Sequence, residues 1–159
     1  MTQTKNVEIV IKELGSIPLV GFRVICEGDQ YPVEIPKSAA ILKDRTAEIK
    51  NLMNEGNQVG AFVVDAPSEK EDGYWVCVQV SEYCDIPEGM IALTIPSQKY
   101  ATIIHDGPNY EIMNSYETLH QWIAENQLKR ATTKWSLEFY QRPENTPADV
   151  LVELCDPIY

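Results

Sequence analysis

Histidine is nearly missing from this chain of 159 residues, and its 13 lysines and arginines are outnumbered by 24 acids. Lys129-Arg130 is the one adjacent basic pair, whereas phosphate backbones are held by clustered Lys and Arg. With a formal charge of −11 and a pI near 4.6, direct nucleic-acid binding is not expected. No apolar run reaches the length of a membrane-spanning helix, and the opening MTQTKNVEIVIKELG has neither the apolar stretch nor the cleavage site of a secretory leader. The expectation is a cytoplasmic protein with no membrane contact. Cys26, Cys77, Cys84 and Cys155 form no CxxC pair and no Cys/His spacing suited to zinc. They read as small core side chains, and no metal or cofactor is expected.

What is present is an internal repeat. VEIVIKEL (7–14) and PLVGFRVIC (18–26) are apolar, β-branched runs parted by Gly15-Ser16, which reads as two strands and a turn. Ala39, Leu42, Thr46, Ile49 and Met53 recur at three-to-four spacing, predicting a helix over 38–55 that Gly56 stops. VGAFVVDA (59–66) and GYWVCVQV (73–80) then form a hairpin. The second half repeats this order. GMIALTIP (89–96) and KYATIIHDG (99–107) are strands, and Ile112, Tyr116, Leu119, Trp122 and Ile123 mark a helical face within 108–126. KWSLEFYQ and DVLVELCDP close a second hairpin across RPENTP. The expected fold is therefore α+β, one domain of tandem duplicated βαββ modules, half 1 at about residues 1–85 and half 2 at about 86–159. The halves are related by a pseudo-twofold axis, and a small-molecule cleft can form between them.

One residue breaks the pattern. Glu138 stands inside WSLEFY, where strand alternation puts Ser136, Glu138 and Tyr140 on one face and Trp135, Leu137 and Phe139 on the other. A buried, unpaired carboxylate is costly. Pattern alone leaves open a rim carboxylate on an exposed strand or an acid lining the cleft, with the opposite face packed on the helices. His105, followed by Asp106, Gly107 and Pro108, reads as a turn residue bonded ahead of a helix rather than as a general base.

IPSQKYATIIHDGPNYEIMNSYETLHQWIAENQL, followed by KWSLEFYQRP and LVELCDPIY, resembles the GyrI-like small-molecule-binding family, which is also the effector-binding domain of AraC-type and MerR-type multidrug-responsive regulators. The matching positions are Ile95-Pro96, Tyr100, His105, Gly107-Pro108, Trp122, Glu138, Tyr140 and Pro157-Ile158. The resemblance implies two βαββ halves around a pocket in which Glu138 meets amphipathic or cationic organic ligands. The repeat adds Phe62 as the apolar counterpart of Glu138, and Trp75 as a wall opposite it. Tyr140 and Tyr110 complete the candidate ligand-binding set, and for each ring ordinary core packing is the alternative. The leading function is a standalone effector-binding protein tied to transcription regulation or to drug response, partnered by a small molecule and a separate regulator. The chain is not expected to be an enzyme. The resemblance also allows a hydrolase of strained-ring compounds, with Glu138 and Tyr140 or Tyr110 in acid-base roles, or a protein-interaction inhibitor such as a gyrase inhibitor.

Overall fold

The computed structural model describes residues 8–141 and 149–159. RPENTP, expected to link the last two strands, lies outside the described residues. The chain runs β1 (Ile9–Leu14), β2 (Ile17–Val24), α1 (Tyr31–Arg45), β3 (Gln58–Val63) and β4 (Tyr74–Gln79). It continues as β5 (Ile91–Ile95), β6 (Gln98–Pro108), α2 (Ile112–Glu125), β7 (Trp135–Tyr140) and β8 (Asp149–Ile158), with short 3-10 turns between several of these elements.

All eight strands form one antiparallel sheet in the order β1-β6-β8-β7-β3-β4-β2-β5. Exchanging the two halves reverses this order onto itself, which is the duplication expressed as a pseudo-twofold axis between β7 and β3. Each half also lends its opening strand to the other: β1 pairs with β6, and β5 pairs with β2. Only Gly15 and Ser16 join β1 to β2, although these strands stand first and seventh in the sheet. Three peptide steps span at most ~11 Å, so the sheet curls until its two ends meet.

Curling gives the two faces different cores. Inside the curl, Leu19, Ala61, Trp75, Cys77, Ile95, Tyr100, Leu137 and Cys155 form one buried cluster. On the outer face, α1 lays Leu42, with Ile35 and Ala39 beside it, on Val20, Val24, Val76 and Val78. The second helix lays Tyr116, Leu119 and Ile123 on Ile103, Val152, Leu154 and Ile158. Each fully buried aliphatic side chain of this kind contributes roughly 1.5–3 kcal/mol. Gly21 in β2 permits the tight curvature: a Cβ there would fall 2.1 Å from the Val76 carbonyl oxygen and 2.6 Å from Cys77 Cα.

The first helix departs from expectation. It begins at Tyr31 rather than near 38, with Pro32 in its first turn and Pro36 inside it, and ends at Arg45. Pro32 fits because the first-turn N–H groups have no helical acceptor. At the other end the Thr46 hydroxyl donates to the Leu42 carbonyl (2.7 Å). A 3-10 turn over Thr46–Glu48 follows, and Ile49 is extended. Ile49 still reaches the core, which is why its spacing imitated a continued helix. Gly56, at φ +75°, belongs to the turn before β3 rather than to a helix end.

Candidate functional site

A cross-strand row on the helix-bearing face runs Phe22, Val76, Gly60, Glu138, Leu154, Ile103, Ile9. Glu138 is the one polar side chain in it, set where the halves meet, opposite Gly60 of β3. Its face is therefore the one that carries the helices, not a helix-free face as anticipated. The residue is only 7% exposed.

Two phenols satisfy the carboxylate. Tyr74, at the start of β4, donates its hydroxyl to Oε1, and Tyr116, in the middle of α2, donates to Oε2 at 2.5 Å. Alternation along β4 gives Tyr74 the same face as Val76 and Val78, and its ring stacks on Phe62 with centroids 5.8 Å apart. Helical spacing with Leu119 and Ile123 turns Tyr116 toward the sheet. Burial raises the Glu138 pKa above the usual carboxylate range, while the Tyr116 and Tyr74 hydrogen bonds pull it back. Burial, reinforced by the nearby Glu138 charge, raises both phenols well above their ordinary range, so they remain protonated donors.

The other buried acid on this face is treated differently. Asp156 of β8 receives Arg130 Nε at 2.7 Å and a second guanidinium nitrogen at 3.3 Å, with His120 Nε2 at 3.4 Å. Burial lowers the His120 pKa, with Arg130 acting in the same direction and Asp156 against it. Among the described residues Glu138 has no such cation: its hydrogen-bond donors are the two neutral phenols.

The anticipated residues separate on this framework. Glu138, Phe62 and Tyr140 share the outer face, with Phe62 and Tyr140 packed at the edge of the α2 cluster. Trp75 does not join them. It lies inside the curl, edge-on to Trp135 at 4.9 Å and beneath the Arg23 guanidinium at 4.7 Å, because odd positions of β4 face inward; its neighbour Tyr74 takes the place expected of it. Tyr110 stands in a 3-10 turn ahead of α2 and is 83% exposed. Tyr74 is absent from the sequence reading and Tyr116 enters it only as a residue of the helical face, although the parity of β4 and the stripe of α2 carry the signal for both. His105 is buried, with Nδ1 2.7 Å from Ser115 Oγ and Nε2 3.0 Å from the Pro108 carbonyl, tying β6 to α2. Tyr100 is buried inside the curl, and its hydroxyl has no hydrogen-bond partner among the described residues.

Two surface hollows lie nearby. One of about 490 Å³ borders β1, β6 and α2 and is lined by Lys12, Thr102, Asn114 and Thr118 among others. The other, about 310 Å³, includes Asn57, Gln58, Tyr140 and Gln141. Neither is lined by Glu138.

A curled eight-stranded antiparallel sheet with two pseudosymmetric helices on one face is the GyrI-like effector-binding fold. The C-terminal domain of EcmrR shares it with a TM-score of 0.73 at 20% identity, over 98% of this chain and 99% of that one. So does SAV2435, in a structure bound to tetraphenylphosphonium, with a TM-score of 0.72 at 20% identity over 96% and 94% of the two chains. Residues 10–158 match the Cass2 family, described as integron-associated effector binding proteins, and the chain belongs to that family. In sequence it is 29% identical over 83 residues to the transcriptional regulator BrlR of Pseudomonas aeruginosa, an alignment covering 51% of this chain and 31% of the regulator. Among the described residues no helix is long and apolar enough to cross a membrane.

Proposed function

We propose that this protein captures amphipathic aromatic cations at Glu138, with Tyr74, Tyr116, Phe62 and Tyr140 as surrounding walls, and that capture serves transcription regulation in drug or toxin response. The observation that carries the reading is the pairing of the two buried acids. Asp156 has its own guanidinium, whereas Glu138 is set among aromatic rings and, among the described residues, accepts from neutral donors only. A carboxylate in such a setting attracts a lipophilic cation strongly, because screening is weak and ring faces add cation–π attraction. The tetraphenylphosphonium bound to SAV2435 is a ligand of that chemistry and supports the reading.

Titration calorimetry with tetraphenylphosphonium on the protein and on Glu138→Gln tests it. Saturable binding at one site per chain, weakened at least about 100-fold by neutralising the acid, is expected, because one contact at an effective dielectric of about 20 amounts to roughly 4 kcal/mol. Equal affinity in the two proteins overturns the reading. Turnover of a strained-ring electrophile that disappears in Glu138→Gln instead assigns the same carboxyl to hydrolysis.

A further inference from the structure

Gly60 occupies the row position directly opposite Glu138, and nothing in its backbone calls for glycine. It sits in the middle of β3, outside the left-handed region, where glycine lowers strand stability relative to a residue with a side chain. Space is the requirement. A Cβ on residue 60 would fall 1.7 Å from the Tyr74 hydroxyl oxygen, 2.5 Å from Tyr74 Cζ and 3.2 Å from Glu138 Oε1. The hydroxyl end of the Tyr74 ring therefore fills the space that a side chain at residue 60 would take, and from there its hydroxyl reaches Oε1. Tyr116 arrives from α2 and takes Oε2 without crossing Gly60.

The two phenols are thus unequal. One is anchored in a buried helix stripe. The other is a half-buried ring whose seat exists because a single side chain is missing. We infer that Gly60 is a positioning residue that seats Tyr74 on Glu138, so that the empty site is held shut and an incoming cation must unseat Tyr74 before it meets the carboxylate. This rests on the reading of Glu138 as the ligand's counter-ion. It adds an affinity threshold: every cation meets the same cost of unseating Tyr74, and one too small to cover both the vacated Oε1 and the exposed Gly60 backbone gains too little to offset it. A bulky aromatic cation replaces the lost hydrogen bond with charge and ring contact.

The test measures tetraphenylphosphonium and tetramethylammonium affinities in wild type, Gly60→Ala, Tyr74→Phe and the double variant. A hydrogen bond to a charged group is worth about a tenfold factor or more, so each single variant should bind tetraphenylphosphonium about tenfold tighter. The double variant should bind no tighter than either single one, because both remove the same closure. Tetramethylammonium should gain by the same factor as tetraphenylphosphonium, because unseating Tyr74 costs every cation alike. A ligand-free readout accompanies these: the Tyr74 hydroxyl proton, slow to exchange and far downfield in wild type, should vanish in Gly60→Ala while that of Tyr116 persists. Affinity in Gly60→Ala equal to or below wild type, or additive gains in the double variant, overturns the inference, and Tyr74→Phe decides the case if Gly60→Ala does not fold. Absence of binding in wild type refutes instead the counter-ion reading, and the hydroxyl proton then still tests whether Gly60 seats Tyr74.

Discussion

Replacing Glu138 by Gln should change how stability depends on pH in a direction that the site fixes. Burial holds the folded-state carboxyl above its ordinary range, while the unfolded chain titrates near ~4.3. Between those two values the folded state binds more protons than the unfolded one, so stability falls as pH rises through the window. At its steepest this loss approaches about 1.4 kcal/mol per pH unit for one group. Gln cannot titrate. Its amide oxygen accepts one phenol while its NH2 faces the other, a mismatch of about 1 kcal/mol that does not vary with pH. The variant should therefore begin slightly less stable than wild type at pH 4 and gain on it steadily as pH rises. Urea unfolding of both proteins at half-unit steps from pH 4 to 8 isolates this difference, because the other titrating groups cancel. A difference that is flat, or that moves against the variant as pH rises, would mean that the two phenol bonds outweigh burial and that the reasoning about Glu138 is wrong.

Two further outcomes follow from the packing. Gly21→Ala should cost about 3 kcal/mol or more, read as a shift in urea midpoint, because its Cβ would strike the Val76 carbonyl and Cys77 backbone rather than a movable side chain. Arg130→Ala should cost about 3 kcal/mol, at the lower end for a broken buried pair because the guanidinium is partly solvated. The same change should raise the His120 titration midpoint seen by NMR, since Asp156 would then act on the ring without the opposing guanidinium.

Strand alternation makes Glu138 and Tyr140 legible as one face, and the repeated order of elements makes the duplication legible; the repeat suggests Phe62 as the counterpart of Glu138, whereas the register sets Gly60 opposite Glu138 and Phe62 opposite Ser136. What alternation alone does not convey is which face the helices cover. Both helices share the Glu138 face because a twofold axis perpendicular to the sheet preserves its sides. The exchange of β1 and β5 between halves was hidden for a related reason: two-residue turns suggest neighbouring strands, and only a curled sheet lets such turns join distant positions. Trp75 follows from aligning the two halves of the repeat, and the shift of one residue from Tyr74 is enough for alternation to put it on the wrong side of the sheet. Tyr116 read as core from its helical stripe, and it is core; that its hydroxyl ends on Glu138 depends on a contact across 22 positions that spacing cannot show. The early start of α1 is not legible from apolar spacing, because its first turns carry Pro32 and Pro36, and a first turn tolerates proline.

The central claim is that Glu138 receives a cation and that Tyr74 yields its place. A crystal structure of the protein soaked with tetraphenylphosphonium tests both at once. The expected density has the phosphonium beside Glu138, a phenyl ring over Gly60, the Tyr74 hydroxyl withdrawn from Oε1 and the Tyr116 bond to Oε2 intact. Phosphonium density confined to the hollows beside β1 or Gln58, with both phenols still on the carboxylate, would contradict it.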